Sequence, residues 1–432
     1  MQTNHNGLQV ATQTAEAQLL RTTLAHMLWE KQFYIDGKSA AESLAQLVSK
    51  CRPEFVSALA VEARTRFKLR HVPLLLAREL AKLGKLPAAT LTDVVQRPDE
   101  MSEFLAIYWK DKKQPLSNQV KKGLANAFKK FNEYQLAKWD KNSAAVSLRD
   151  VMFLTHPKPD NLAQEALFKR VANKELITPD TWETQLSAGA DKRETFTRLM
   201  SEKKLGALAF LRNLRNMLDS GVATTDILKY GQAVDVTNVL PFRFIAAARQ
   251  VSTALHPMLE QMMFRALAGA KRLPGKTVIL VDVSGSMFGT KVSEKSDLDR
   301  FDAAAALAVL ARELCEDCDI FSFSNSAVRV AKHYRGFALV EAIRNSQHHG
   351  GTDLGRSIAV VNQSEPGFDR CIAITDEQSS TRPGLVKSTK NYVLNVGSYN
   401  NGINHFDWLT ITGFSEAVFS YIQAAEGTYT LT

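Results

Sequence analysis

Apolar residues along the first two thirds of the chain recur at three- and four-residue steps: Leu44, Leu47 and Val48, then Phe55, Leu59, Ala60 and Ala63, then Leu74, Leu75, Ala77, Leu80 and Leu83. That period puts them on one stripe of an α-helix and predicts helical structure from about 12 to 272. Pro53, Pro73, Gly84, Pro87, Pro98, Pro115, Pro157, Pro159, Pro179 and Pro241 punctuate the pattern. The helices are therefore expected to be short and joined by tight turns. Successive short helices cover one another's apolar stripes, and an array of such pairs coils as a helical solenoid. No fixed repeat length appears, so an irregular α-bundle satisfies the same pattern.

At Leu273-Pro274-Gly275-Lys276 the texture changes. Thr277-Val278-Ile279-Leu280-Val281-Asp282 is a β-rich, nearly continuous apolar run, the pattern of a strand buried on both faces. After it the residues predict a helix over 301–315, a strand over 320–323, a helix over 353–361, strands over 371–376 and 392–396, and a closing amphipathic helix over 414–425. Alternation of strands and helices predicts a parallel α/β sheet. The expected organisation is multidomain: an all-α region, 1–274, and an α/β domain, 275–432. A chain of 432 residues, 45% of them hydrophobic, supplies apolar surface for two cores.

Charge separates the same two regions. Residues 1–274 hold 40 Lys and Arg against 27 Asp and Glu, a balance of +13, whereas 275–432 hold 14 against 18, a balance of −4. A basic half suits an anionic partner such as nucleic acid, although a lysine-rich solvated surface produces the same number. Cys51, Cys315, Cys318 and Cys371 are too sparse for a disulfide framework, which implies a reducing compartment. The first residues lack the basic start and apolar centre of a secretory signal. The small-apolar run 303–311 is far short of the ~20 residues that cross a bilayer. A cytoplasmic protein without membrane contact is expected.

Asp282-Val283-Ser284-Gly285-Ser286 follows the first buried strand, and open α/β sheets bind ligands at the carboxyl ends of their strands. Hard oxygen donors on a tight loop suit Mg²⁺, which keeps several of its waters. Gly350-Gly351-Thr352-Asp353 opens a helix and Thr375-Asp376-Glu377 ends a strand, so three loops offer oxygens to one ion. Taken alone, Asp-x-Ser-x-Ser is also an ordinary strand-to-helix turn with serine caps. In order and spacing, 275–432 resembles the von Willebrand A domain. That resemblance implies a metal-ion-dependent adhesion site in which Ser284, Ser286 and Thr352 bind Mg²⁺ or another divalent cation, while Asp282 and Asp376 hold its waters. No nucleophile and base pair accompanies these residues, so a non-catalytic binding site is expected. Cys315-Glu316-Asp317-Cys318 is read as structural, since a zinc site needs about four ligands. His348-His349 is read as a solvated loop, because Mg²⁺ prefers oxygen.

Lysines crowd one stretch of the helical half: Lys110, Lys112, Lys113, Lys121, Lys122, Lys129, Lys130, Lys138 and Lys141, interleaved with Trp109, Phe128, Phe131, Tyr134 and Trp139. Ammonium groups neutralise phosphates and aromatic faces stack unpaired bases. At helical spacing most of these aromatics also read as core. Ser147-Leu148-Arg149-Asp150-Val151-Met152-Phe153-Leu154-Thr155-His156-Pro157-Lys158-Pro159 resembles the Leu-Arg-Leu-Ser-His-Leu-Lys-Pro segment of the Ro ribonucleoprotein (TROVE) family. Ala207-Leu208-Ala209-Phe210-Leu211-Arg212-Asn213-Leu214-Arg215-Asn216-Met217 resembles that family's Leu-Arg-Asn-Leu helix. Leu240-Pro241-Phe242-Arg243-Phe244 resembles its Pro-Phe-His turn, with Arg243 in place of histidine.

The resemblance implies a ring of HEAT-like helical repeats joined to a von Willebrand A domain. It implies small noncoding Y-type RNA on the basic outer surface and single-stranded 3′ ends of misfolded RNA in the hole. Lys138, Lys141 and His156 then fall on the outer surface and Arg212 nearer the hole, with Lys158 and Arg215 also expected to bind RNA. His156 also reads as a buried histidine between helices. The function expected is a non-catalytic RNA scaffold that presents RNA to a nuclease or an RNA-repair protein. The alternative is an adaptor whose metal site grips an acidic residue of a protein partner. An ATPase is disfavoured, because no Gly-x-x-x-x-Gly-Lys-Ser/Thr loop is present.

Overall fold

The computed structural model describes residues 2–3, 9–10, 14–25, 37–140, 145–237, 239–291, 298–376, 379–381, 383–397, 408–412 and 418–427. Lys141, Glu377 and the first residues of the expected closing helix lie outside the described residues. A two-residue antiparallel ladder joins β1 (Gln2–Thr3) to β2 (Gln9–Val10). Helices follow as α1 (Ala15–Ala25), α2 (Gly37–Lys50), α3 (Pro53–Thr65), α4 (His71–Lys82), α5 (Ala88–Val94), α6 (Pro98–Tyr108), α7 (Asn118–Phe128), α8 (Glu133–Trp139), α9 (Leu148–Thr155), α10 (Leu162–Asn173) and α11 (Trp182–Ser187). They continue as α12 (Lys192–Ser201), α13 (Ala207–Asp219), α14 (Thr224–Ala233), α15 (Phe242–Ala248) and α16 (His256–Leu267).

The helix ends follow from local chemistry. Pro53 and Pro98 open α3 and α6 in the first turn, where a missing N–H is harmless. Ser117, Asn132, Ser147 and Asn161 cap α7, α8, α9 and α10 by accepting from backbone N–H groups that have no partner within the helix. Pro73 departs from the expectation of a stop: it sits in the first turn of α4, which tolerates proline, and the helix continues to Lys82.

Two compact units result, one built mainly from 38–189 and one mainly from 190–428. In the first, α3 packs on α4 and α5, α5 on α7, and α7 on α9. A buried ion pair, Arg64 to Glu100 at 2.5 Å, ties α3 to α6. In the second, α13 packs on α14 and α15, and α16 on α14 and α15. No described helix is long and apolar enough to cross a membrane.

The α/β part of the second unit contains β3 (Leu273–Asp282), α17 (Arg300–Leu314), β4 (Cys315–Phe323), β5 (Ala327–Val330), α18 (Gly336–Arg344), α19 (Leu354–Ser364), β6 (Arg370–Thr375), β7 (Lys390–Asn395), β8 (Trp408–Thr412) and α20 (Val418–Ala425). The sheet order is β5-β4-β3-β6-β7-β8. All pairings are parallel except β4 with β5, which corrects the expectation of a wholly parallel sheet. Only Ser324 to Ser326 separate β4 from β5, enough for a hairpin and too short for a crossover.

Val278, Leu280, Phe321, Phe323, Ile358 and Ala373 share one core. The helix α17 is buried nearly all round, from Arg300 to Ala311, as its alanine-rich, unstriped sequence requires. It packs on β3, β4 and β6. Helices α15 and α16 dock on this domain within the same unit. Arg249 pairs with Asp302 of α17, and Glu260 accepts from the Phe337 N–H of α18 at 2.8 Å. Cys315 and Cys318, in the first half of β4, are buried and form no disulfide.

Candidate functional site

The chain leaves β3 at Asp282 where the sheet order reverses, with β4 on one side and β6 on the other, the position at which open α/β sheets form ligand crevices. Asp282 is fully buried; its Oδ1 accepts from the Ser284 N–H at 2.8 Å and its Oδ2 from the Thr375 hydroxyl at 2.6 Å. Burial, reinforced by the charge of Asp376, raises its carboxyl to about 6. The Ser284 and Ser286 hydroxyls lie 3.2 Å apart.

The loop before α19 is drawn to the same place. Gly350 O accepts from the Gly285 N–H at 3.1 Å, and Asp353 caps α19 while its own N–H donates to Ser324 O at 2.7 Å. Thr352 is buried, and its carbonyl is held by the Ser380 N–H at 2.8 Å and the Ser380 hydroxyl at 2.9 Å.

Asp376 follows β6 and is fully buried; Oδ2 accepts from Arg300 at 2.8 Å, and Oδ1 has no hydrogen-bond partner among the described residues. Gly397 closes against it: a Cβ there would sit 2.6 Å from the Asp376 Cβ, so only glycine fits. The sequence-predicted oxygens thus lie on three neighbouring loops at one end of the sheet. The arrangement is an oxygen-only donor set with one unsatisfied buried carboxylate oxygen, the chemistry that a hard divalent cation fits. No cluster of three or more His, Cys, Asp or Glu that could hold a metal ion forms among the described residues.

The cations of the helical half are arranged differently. Trp109, at the end of α6, and Phe153 and His156, in and after α9, line one surface groove of about 530 Å³ together with Lys113, Leu116 and Lys121. Phe153 is 50% exposed. Lys113 Nζ lies 5.4 Å from the Trp109 ring, and the Arg149 guanidinium 5.1 Å from the Phe153 ring. His156 terminates α9 in the left-handed conformation, φ 49°, its N–H donating to Met152 O at 2.9 Å. Pro157 then prevents any further helical turn. His156 is exposed, which removes the reading of it as a buried histidine, and Lys158 is exposed beside it in sequence.

Lys138, also exposed, lines a separate hollow with Trp139, Arg149 and Lys174. Arg212 and Arg215 are both exposed on α13. Phe128 and Phe131 are core, as helical spacing allows, whereas Tyr134 is 45% exposed.

Two of the clustered lysines serve the fold itself. Lys130 donates to Thr92 O at 2.8 Å and Val95 O at 2.6 Å, satisfying carbonyls at the end of α5, and burial pulls its ammonium below the usual range. Lys129 pairs with Asp160. Sequence reasoning missed two participants. Phe153 lies off the buried stripe of Leu148, Val151 and Met152, a signal that a helical-wheel reading of α9 carries. Arg300 stands 76 residues from its partner Asp376, and no local motif announces that pair.

Residues 169–272, from α10 through α16, match the TROVE domain family. A segment of 111 residues, 24% of the chain, is 27% identical to telomerase protein component 1 of Mus musculus, and the protein of the same name from Rattus norvegicus matches equally. The chain spans only 4% of the length of each of these relatives. Among solved structures, the Ro (RSR) protein of Deinococcus radiodurans aligns over 96% of this chain and 100% of its own, with a TM-score of 0.67 and 19% identity. The Arg212 and Arg215 helix lies inside the family match; Lys138, His156 and Lys158 precede it. The chain thus carries a segment, 169–272, that matches the TROVE domain, and it shares its fold with the Ro (RSR) protein of Deinococcus radiodurans.

Proposed function

We propose that the protein is a non-catalytic RNA-binding scaffold whose helical half takes small structured noncoding RNA, of the Y type, together with single-stranded 3′ ends of misfolded RNA. The observation that carries this reading is the groove at Trp109, Phe153 and His156, with Lys113 and Lys121 on its walls. Aromatic faces beside flexible cations suit unpaired bases and their phosphates, and irregular RNA offers both together. Arg212 and Arg215, exposed on α13, add a second cationic face. The TROVE match and the Ro fold support the same class of ligand.

In the α/β domain, Ser284, Ser286 and Thr352 hold Mg²⁺ and Asp282 and Asp376 hold its waters in this reading, the ion supplying a Lewis-acidic point that takes an acidic group from a protein partner. A nuclease or an RNA-repair protein is the class of partner that such a scaffold serves.

Fluorescence anisotropy with a labelled stem-loop RNA carrying a single-stranded 3′ tail tests the assignment. With about four phosphate contacts, affinity falls on the order of 50-fold as salt rises fourfold. Absence of RNA binding at the lower salt, together with recovery of a protein partner only when Mg²⁺ is present, assigns the chain instead to metal-dependent adaptors. The buried oxygen cluster around Asp376 favours that second reading.

A further inference from the structure

The oxygen cluster contains a cation of its own. Arg300, in the first turn of α17, is 2% exposed. Its guanidinium donates to Asp376 Oδ2 at 2.8 Å and reaches the Ser286 carbonyl at 3.5 Å, so one planar group spans the loop after β3 and the end of β6. Both buried carboxylates, Asp282 and Asp376, are 0% exposed, and two uncompensated negative charges at that depth repel each other and lack water. With Arg300 in place the formal charge of the three groups is −1 rather than −2. A divalent ion added to −2 neutralises the cluster, whereas added to −1 it leaves a positive charge in a buried crevice.

We propose that Arg300 is a resident counter-ion of the metal site, one that keeps the site assembled without metal and sets its divalent-cation affinity low. The inference rests on the reading of this cluster as a cation site and identifies the residue that decides how tightly a cation is held. Arginine suits the role because a guanidinium is a permanent cation, and here its Nη1 faces both Asp376 Oδ2 and the Ser286 carbonyl.

The test is isothermal titration of the full chain with Mg²⁺ and with Mn²⁺, alongside thermal unfolding in chelator and in excess Mg²⁺. Arg300→Gln is expected to tighten Mg²⁺ binding by on the order of tenfold or more, because a unit charge within the cluster no longer opposes the ion. Arg300→Lys, which keeps the charge, is expected to stay within about threefold of the wild-type affinity. In chelator Arg300→Gln is expected to melt below the wild type, since Asp376 is left buried without its partner. Excess Mg²⁺ is expected to raise its melting temperature more than that of the wild type.

That second readout holds even where the variant folds only with metal. Wild-type binding with Arg300→Gln no tighter, tightening by Arg300→Lys equal to that by Arg300→Gln, or a variant that Mg²⁺ does not rescue overturns the counter-ion role and leaves the metal reading standing. Absence of Mg²⁺ and Mn²⁺ binding by both wild type and Arg300→Gln overturns the metal reading itself, and the inference with it.

Discussion

The groove of the helical half and the oxygen cluster of the α/β domain, the two sites proposed to hold charged ligands, are built in opposite ways. In the groove, Lys113, Lys121 and His156 are exposed to solvent. Solvent screens each cation, and affinity comes from summing several weak contacts. In the cluster, Asp282, Ser284, Asp376 and Arg300 are at most 2% exposed and each is fixed by named hydrogen bonds. There a single charge decides the outcome, because little water reaches it. On the proposed function, the contrast separates a surface that would take varied RNA from a site that would take one small ion.

If that contrast is right, the largest effect of substitution falls in the buried cluster and is confined to the ion. The double variant Ser284→Ala/Ser286→Ala is expected to lose Mg²⁺ affinity by about a hundredfold or more, since two neutral donors go at once. Calorimetry reads that loss, and RNA affinity is expected to stay within about twofold, because no groove residue is altered. Loss of RNA binding by a folded double variant would join the two sites that the contrast keeps apart.

Next in size, Lys113→Ala/Lys121→Ala/Lys158→Ala is expected to weaken a tailed stem-loop RNA by roughly 50-fold and to reduce the slope of log affinity against log salt by about 2. Melting temperature is expected to change little, since all three side chains are exposed. An unchanged salt slope would take the phosphate contacts away from these lysines. Below that stands Phe153→Ala. Loss of one stacking face costs about 1–3 kcal/mol per base, so single-stranded RNA is expected to weaken about tenfold, with little effect of salt. A blunt-ended duplex RNA, whose bases are already stacked, is the control and is expected to bind equally to both proteins.

How much of this was legible in the sequence differs between the two sites for the same physical reason. Asp282, Ser284 and Ser286 lie within five residues after a strand that its continuous apolar run declares, so the motif and its place at a strand end could be read together. The groove joins residues 109–121 to 153–156 only through the packing of α7 and α6 against α9. His156 and the lysines could be named singly, but not as neighbours, and Phe153 passed as part of an ordinary helix.

Arg300 escaped because a buried ion pair across 76 residues leaves no periodic trace. Lys130 misled in the opposite direction: its place in the lysine-rich stretch offered it as a phosphate contact, while its chain length let it fold back onto the carbonyls at the end of α5. The edge strands β5 and β8 were missed as well. In β5 only Ala327 and Val330 are buried, with two exposed residues between them, too short a pattern to distinguish from a loop.

The smallest expected effect asks where the RNA surface ends. Lys138 lies in a hollow separate from the groove, its ammonium 5.8 Å from the Tyr134 ring, with Arg149 and Lys174 as its cationic neighbours. Arg149 lines this hollow and its guanidinium lies 5.1 Å from the ring of Phe153, which lines the groove, so a strand bound in both would pass over this contact. Lys138→Ala then removes one phosphate contact among several: about threefold in affinity near physiological salt, and a drop of roughly 0.7–0.9 in the salt slope. Combined with the triple lysine variant, the two losses multiply if the contacts are independent parts of one electrostatic surface. A Lys138→Ala protein with wild-type affinity and wild-type slope would confine RNA to the groove and leave the hollow beside α8 as an ordinary solvated face.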